Sequence, residues 1–241
     1  MTKGPPPPVV VQPGLIGVAV VGPPKEPSLP LTGAEAAATW GLTYALVPPF
    51  FYWASPLVAY HAGKCAHAIY KVYPDLPAQF KEAVGREFSQ ELLRSSFVEA
   101  MKARTRSPVI PLEEASGAGY FSHATALTAA VRQEMGVVVE LVQPVVALGG
   151  ANWKEDDCEY VNLALRIEVQ ATRVKDQQVI YRDSLSAGCA SRASFDTVGK
   201  WLNEPGALAG ELAPCAGDLA HKVLDYDSNQ YSHRPQLKLP E

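Results

Sequence analysis

The chain has 241 residues, of which 47% are hydrophobic, so it is long enough to bury the core of a full domain. Its formal net charge is −4, and no Lys/Arg-rich stripe runs along it, which argues against nucleic acid as a partner. We expect a flexible proline-rich arm over residues 1–13, a single α/β domain over residues 14–227 with an apolar insertion at 33–73, and a flexible tail over 228–241.

The first half of the domain alternates between apolar runs and helical patterns. Residues 15–21 form a short apolar run, which is typical of a buried strand. Residues 78–104 carry apolar side chains at helical spacing and predict one long helix. Residues 109–112 predict a short second strand. Residues 122–135 predict a second helix, which we expect to end at Gly136.

The second half reads as three strands followed by a helix. Residues 137–148 are rich in valine, and residues 160–174 alternate apolar and polar side chains with a period of two. A polar turn at 175–177 leads into residues 178–187, which we interpret as the antiparallel partner, and residues 207–224 predict a closing helix. The predicted fold is α+β, a small mixed sheet whose last three strands are antiparallel, with helices on one face and an inserted apolar helical hairpin.

The apolar insertion is the most informative part of the sequence. Residues 36–60 form a run of 25 residues without a charge, enough to cross a bilayer core of about 30 Å as a helix. Pro48, Pro49 and Pro56 interrupt that run, so a broken helix or a hairpin fits it better than one straight helix.

The same insertion is rich in aromatic residues, which favour membrane interfaces and protein interfaces. Three interpretations remain open: the segment contacts lipid, packs into the core, or binds copies of itself or a partner. The residues predicted to make membrane or partner contacts are Trp40, Tyr44, Phe50, Phe51, Tyr52, Trp53 and Tyr60.

The cysteines lie too far apart in the sequence for a zinc motif, so we expect no metal site from them. Cys189 and Cys215 both border predicted elements near the carboxyl end of the domain, and they are the candidate disulfide. The even count of four suits one or two disulfides in an oxidising compartment, and the alternative is that Cys65, Cys158, Cys189 and Cys215 are all reduced and partly buried.

Catalytic and cofactor motifs are absent from the sequence. His123 follows Ser122, but no serine lies in a G-x-S-x-G turn and no acid is visibly placed to orient the imidazole. The acidic run at 155–159 lacks the pattern of a calcium loop and indicates a solvated turn. No glycine-rich phosphate loop is present. We therefore expect no enzymatic activity, no cofactor and no small-molecule substrate.

The order of predicted elements, with the segment YVNLALRIEVQATRVKDQQVIYRDSLSAG, an aromatic-containing linker with Phe195 and Trp201 and a final helix, resembles bacterial envelope lipoproteins. It is also similar to the domain shared by the curli-secretion (CsgG-like) lipoprotein family and the TolB amino-terminal domain. The resemblance covers residues 14–22 and 76–227. The chain shows no lipobox cysteine at its start, so a lipid anchor follows from the resemblance alone.

This resemblance implies a non-catalytic accessory or scaffold protein of the bacterial cell envelope, on the periplasmic side and associated with the outer membrane. Its partners would be envelope proteins or the membrane surface. One alternative is an oligomeric secretion or pore component in which several copies combine their apolar insertions. A second alternative is an enzyme with an unrecognised site.

Overall fold

The computed structural model describes residues 14–29, 68–113, 120–150 and 160–224. These residues form a mixed α+β fold around a five-stranded sheet with the strand order β2-β1-β3-β4-β5. The strands are β1 (Ile16–Val21), β2 (Val109–Pro111), β3 (Val137–Gly150), β4 (Tyr160–Arg173) and β5 (Gln178–Ser194). The helices with defined bounds are α1 (Leu76–Glu87), α2 (Gln90–Lys102), α3 (His123–Arg132), α4 (Phe195–Asn203) and α5 (Ala207–Leu224).

The strand directions confirm the predicted α+β class. β1 runs parallel to both β2 and β3, whereas β3, β4 and β5 form an antiparallel meander. The period-two alternation of β4 places its large aliphatic side chains on one face of the sheet. The apolar side chains of β4 on that face are Val161, Leu163, Leu165, Ile167 and Val169.

Helices cover both faces of the sheet, which differs from the expectation that they pack on one face. The main core contains buried side chains from α1, α2, α4 and α5 together with the apolar face of the strands. On the opposite face, Ala126 and Ala130 of α3 pack against Ala19 and Val138 of the sheet. These small side chains let a short helix approach the strands closely, so the second face is covered near β1 and β3.

The predicted helix over residues 78–104 is two helices. Phe88 adopts an extended conformation after α1, and its side chain is buried in the main core. Ser89 then caps α2, since its hydroxyl oxygen accepts a hydrogen bond from the backbone N–H of Leu92. The apolar spacing continues through the break, which is why the periodicity alone predicted one helix.

The boundaries of α3 also differ from the prediction. Ser122 and Thr125 form a reciprocal capping box, so the helix begins at His123. It ends at Arg132, and the chain reverses at Glu134, whose φ is 55°. Gly136 lies beyond this turn, where its backbone N–H donates to the carbonyl oxygen of Leu15.

Helix α4 replaces the linker that we expected between β5 and the final helix. Ser194 caps it by accepting a hydrogen bond from the backbone N–H of Thr197. Trp201 lies in the main core with 1% of its surface exposed. The aromatic residues of this region therefore belong to a core helix.

The predicted hairpin within residues 33–73 lies outside the described residues except for its carboxyl end, where residues 68–72 are helical and Ile69 is buried in the main core. The proposed arm over residues 1–13 and the tail over 228–241 also lie outside them. Within the described ranges, no helix combines the length and the apolar character needed to cross a membrane.

Replacing Trp201 with alanine tests the role of α4 in the core. The Trp201→Ala variant should lose about 3–5 kcal/mol of unfolding free energy, because the change removes a fully buried aromatic side chain. Urea denaturation followed by circular dichroism measures this loss. The exposed neighbour Lys200 provides the control, and Lys200→Ala should stay within about 0.5 kcal/mol of the unchanged chain. Equal stability of the two variants would place α4 outside the core.

Candidate functional site

Glu140 is a carboxylate buried in the middle of the sheet. It lies on β3 opposite Ala19 of β1 and Gln170 of β4, and only 1% of its surface is exposed. Its side chain points to the face that α3 covers, which is also the face of the buried side chain of Val138. A carboxylate in such a position is costly unless its oxygens have hydrogen-bond partners.

Two side chains provide those partners. Nδ1 of His123, the first residue of α3, lies 2.7 Å from Oε2 and 2.8 Å from Oε1 of Glu140. The side-chain amide of Gln170 donates to Oε2 of Glu140 over 3.1 Å. The cluster of His123, Glu140 and Gln170, called the buried-acid cluster below, therefore joins α3 to β3 and β4.

Burial raises the pKa of Glu140 above its ordinary value. The hydrogen bonds and the charge of His123, and the hydrogen bond from Gln170, act in the opposite direction, but the effect of burial is larger. The ionised form of Glu140 is thus less favourable in the folded chain than in water.

The buried-acid cluster orients an imidazole toward solvent. Glu140 contacts Nδ1 of His123, and 53% of the histidine side chain is exposed, so the rest of the imidazole is accessible to solvent. The expectation that no acid orients His123 was therefore wrong. Glu140 lies 17 residues further along the chain, and the only sequence signal is one glutamate within the apolar run VVVELV.

The hydroxyl group of the residue before His123 belongs to the cap of α3. The hydroxyl oxygen of Ser122 is engaged at the start of α3, where it accepts a hydrogen bond from the backbone N–H of Thr125 over 3.1 Å. In the described part of the chain, no group of three or more His, Cys, Asp or Glu side chains is placed to hold a metal ion.

Cys189 and Cys215 form a disulfide bond that joins β5 to α5. Their Cα atoms lie 5.1 Å apart, within the usual range for a disulfide. Cys215 is 1% exposed and belongs to the main core. This is the pair that the sequence singled out, and the bond attaches an edge strand of the sheet to the last described helix.

The other predicted site residues lie outside the described residues. These are the aromatic residues of the insertion, the remaining cysteines and the acidic run, namely Trp40, Tyr44, Phe50, Phe51, Tyr52, Trp53, Tyr60, Cys65, Cys158 and residues 155–159.

Comparisons with known proteins give little guidance. No family model and no curated protein matches the chain. Among solved structures, the chain is similar to a neuraminyllactose-binding hemagglutinin homologue from Helicobacter pylori, at 10% sequence identity and a TM-score of 0.30, covering 94% of this chain and 92% of that one.

Replacing Glu140 with glutamine tests the energetic cost of the buried acid. Because its pKa is raised on folding, Glu140 stabilises the folded chain fully below about pH 4.3, and this contribution is lost as the pH rises through the raised pKa. Glutamine cannot ionise, so the Glu140→Gln variant should gain stability relative to the unchanged chain as the pH rises through the raised pKa of Glu140. Urea denaturation across the pH range measures the difference.

The control is Glu82→Gln, which changes an exposed glutamate of α1 and should follow the unchanged chain at every pH. If Glu140→Gln also followed the unchanged chain, burial would not raise the pKa of Glu140.

Proposed function

We propose that this chain is a non-catalytic accessory or scaffold protein of the bacterial cell envelope, working on the periplasmic side and associated with the outer membrane. It binds envelope proteins and contacts the membrane surface. The observation that carries this proposal is the disulfide between Cys189 and Cys215.

Disulfides form and persist in oxidising compartments and are rare where glutathione and thioredoxin keep thiols reduced. In bacteria the periplasm is such an oxidising compartment. The position of the bond indicates a structural role, because it joins the edge strand β5 to a buried residue of the core. Neither cysteine belongs to the buried-acid cluster.

The apolar insertion supports the membrane part of the proposal. It combines a 25-residue run without charge and a high density of Trp, Tyr and Phe with prolines that disfavour a single straight helix. An element of this kind suits contact with one leaflet or with a partner in the envelope. The resemblance to envelope lipoproteins adds a lipid anchor to the proposal.

The engagement of the Ser122 hydroxyl in the cap of α3 favours an accessory role over hydrolysis. A structural role accounts for the buried-acid cluster, since it attaches the start of α3 to β3 and β4.

Fractionation of cells that express the chain tests this proposal. The comparison is between the intact chain and a variant in which a glycine-serine linker replaces residues 33–67. This variant keeps Ile69, which is buried in the core, and Tyr73, whose hydroxyl donates a hydrogen bond to the carbonyl oxygen of Phe195. We expect the intact chain in the membrane fraction of the envelope and the linker variant in the soluble periplasmic fraction.

Formation of the Cys189–Cys215 disulfide in the linker variant shows that it folds, and a variant lacking residues 228–241 serves as a control that should remain with the membranes. An intact chain found in the cytosolic fraction with reduced Cys189 and Cys215 would contradict the proposal. If the linker variant folded and still remained with the membranes, the insertion would not be the element that contacts the membrane.

A further inference from the structure

Four segments of the chain meet at the end of the sheet where β1, β2 and β3 begin and β4 ends. The backbone N–H of Ile16 donates a hydrogen bond of 2.9 Å to the carbonyl oxygen of Pro108. The N–H of Gly136 donates to the carbonyl oxygen of Leu15 over 2.8 Å, and the N–H of Val174 donates to that of Gly136 over 3.0 Å. Neighbouring strands lie about 4.8 Å apart, so this row of four segments is about 14 Å wide.

Basic side chains are concentrated on the connections that lead to this row, which are residues 99–108, 131–136 and 173–178. The six basic residues of these connections are Lys102, Arg104, Arg106, Arg132, Arg173 and Lys175. The three acidic residues are Glu99, Glu134 and Asp176. The connections therefore carry a net charge of +3, whereas the whole chain carries −4. Positive charge is thus segregated to one end of the sheet.

Three of these basic side chains have no carboxylate partner within the described ranges. Two of the six make local ion pairs of 2.8 Å, Lys102 with Glu99 and Arg173 with Asp176. Arg106, Arg132 and Lys175 are exposed and make no ion pair with another described residue. Charges of one sign that are held close together repel one another, and a partner of opposite charge relieves that repulsion.

We propose that this end of the sheet, called the basic end and defined by Arg106, Arg132 and Lys175, binds an acidic protein segment in which glutamate or aspartate residues alternate with aliphatic ones. This inference rests on the proposed function and names the chemistry of the envelope partner. An extended segment of about five residues spans the width of the row. The guanidinium groups of Arg106 and Arg132 suit such a segment, because each can bind a carboxylate through two parallel hydrogen bonds.

Exposed aliphatic side chains accompany these charges. Val131, which precedes Arg132 on α3, is 54% exposed. Val179, which follows the turn that contains Lys175, is 47% exposed. These two side chains offer apolar contact area beside the charges that attract the segment, as in protein interfaces that combine apolar and polar contacts.

The acidic residues at the basic end favour a protein segment over a flat anionic surface. Glu134 and Asp176 are both exposed among the basic residues. An anionic bilayer or the phosphates of a nucleic acid would bring negative charge against these two carboxylates. A peptide can place its own carboxylates at the basic side chains alone.

Binding of a labelled peptide to the full-length chain tests the basic end. The probe is a short fluorescent peptide in which glutamate alternates with valine, and fluorescence anisotropy at low salt measures its affinity. The variant Arg106→Gln/Arg132→Gln/Lys175→Gln should bind about tenfold more weakly, because it loses three exposed ion pairs. Added salt should also weaken the binding to the unchanged chain, since it screens exposed charges.

A matched control removes the same net charge elsewhere. Lys25, Lys71 and Lys200 are exposed and lie outside the connections of the basic end. The variant Lys25→Gln/Lys71→Gln/Lys200→Gln should therefore bind the peptide as the unchanged chain does. Glu134→Gln removes a repulsive carboxylate and should tighten binding, whereas Glu82→Gln on α1 should leave it unchanged. Circular dichroism checks that all four variants fold.

The outcomes decide between the possible partners. Failure of the unchanged chain to bind the peptide, or equal weakening in the two triple variants, would overturn the basic end as a docking surface. Vesicles of phosphatidylglycerol and a DNA duplex are tested in parallel. Tighter binding of either one than of the peptide, lost in the basic-end variant, would overturn the acidic protein partner.

Failure of this inference can be distinguished from failure of the proposed function. The fractionation experiment and the redox state of Cys189 and Cys215 do not involve the basic end. Loss of peptide binding would therefore leave the envelope location in place, whereas a chain found in the cytosolic fraction would contradict the location without changing the affinity for the peptide.

Discussion

The fold depends on one continuous apolar face shared by three long antiparallel strands. β3, β4 and β5 contain 14, 14 and 17 residues, and alternate side chains along them point into the main core. Such a face is stable in water only when it is covered, because its burial is the main favourable contribution to folding. Helices α1, α2, α4 and α5 provide that cover, and the disulfide fixes α5 to the edge strand β5.

The second face of the sheet obeys a different constraint. Near β1 and β3 it carries small side chains that accept a single short helix, and next to them it buries the carboxylate of Glu140. His123 at the start of α3 and Gln170 on β4 offset part of the cost of that burial. The buried-acid cluster therefore fixes the position of α3, and it also leaves a half-exposed imidazole on the surface.

The strands were predictable because their signals are local. The alternation in β4 and the polar turn after it specify a hairpin, and both appear in the structure. The break between α1 and α2 was not predictable from the sequence. It depends on burial of Phe88 and on the cap at Ser89, whereas the helical spacing of apolar residues continues through it. The partnership of His123 with Glu140 joins a helix to a strand, and no local spacing encodes it. Tertiary contacts therefore determine the features that the local sequence pattern did not predict, namely the helix break and the contact of His123 with Glu140.

We propose that the chain works in an oxidising compartment, where Cys189 and Cys215 are joined. The most direct measurement is on the cells that make the chain: thiols are trapped with acid and alkylated before lysis, and the unreduced digest is examined by mass spectrometry. We expect one pair of linked peptides that contains Cys189 and Cys215. Recovery of both cysteines as alkylated, unlinked peptides would contradict it.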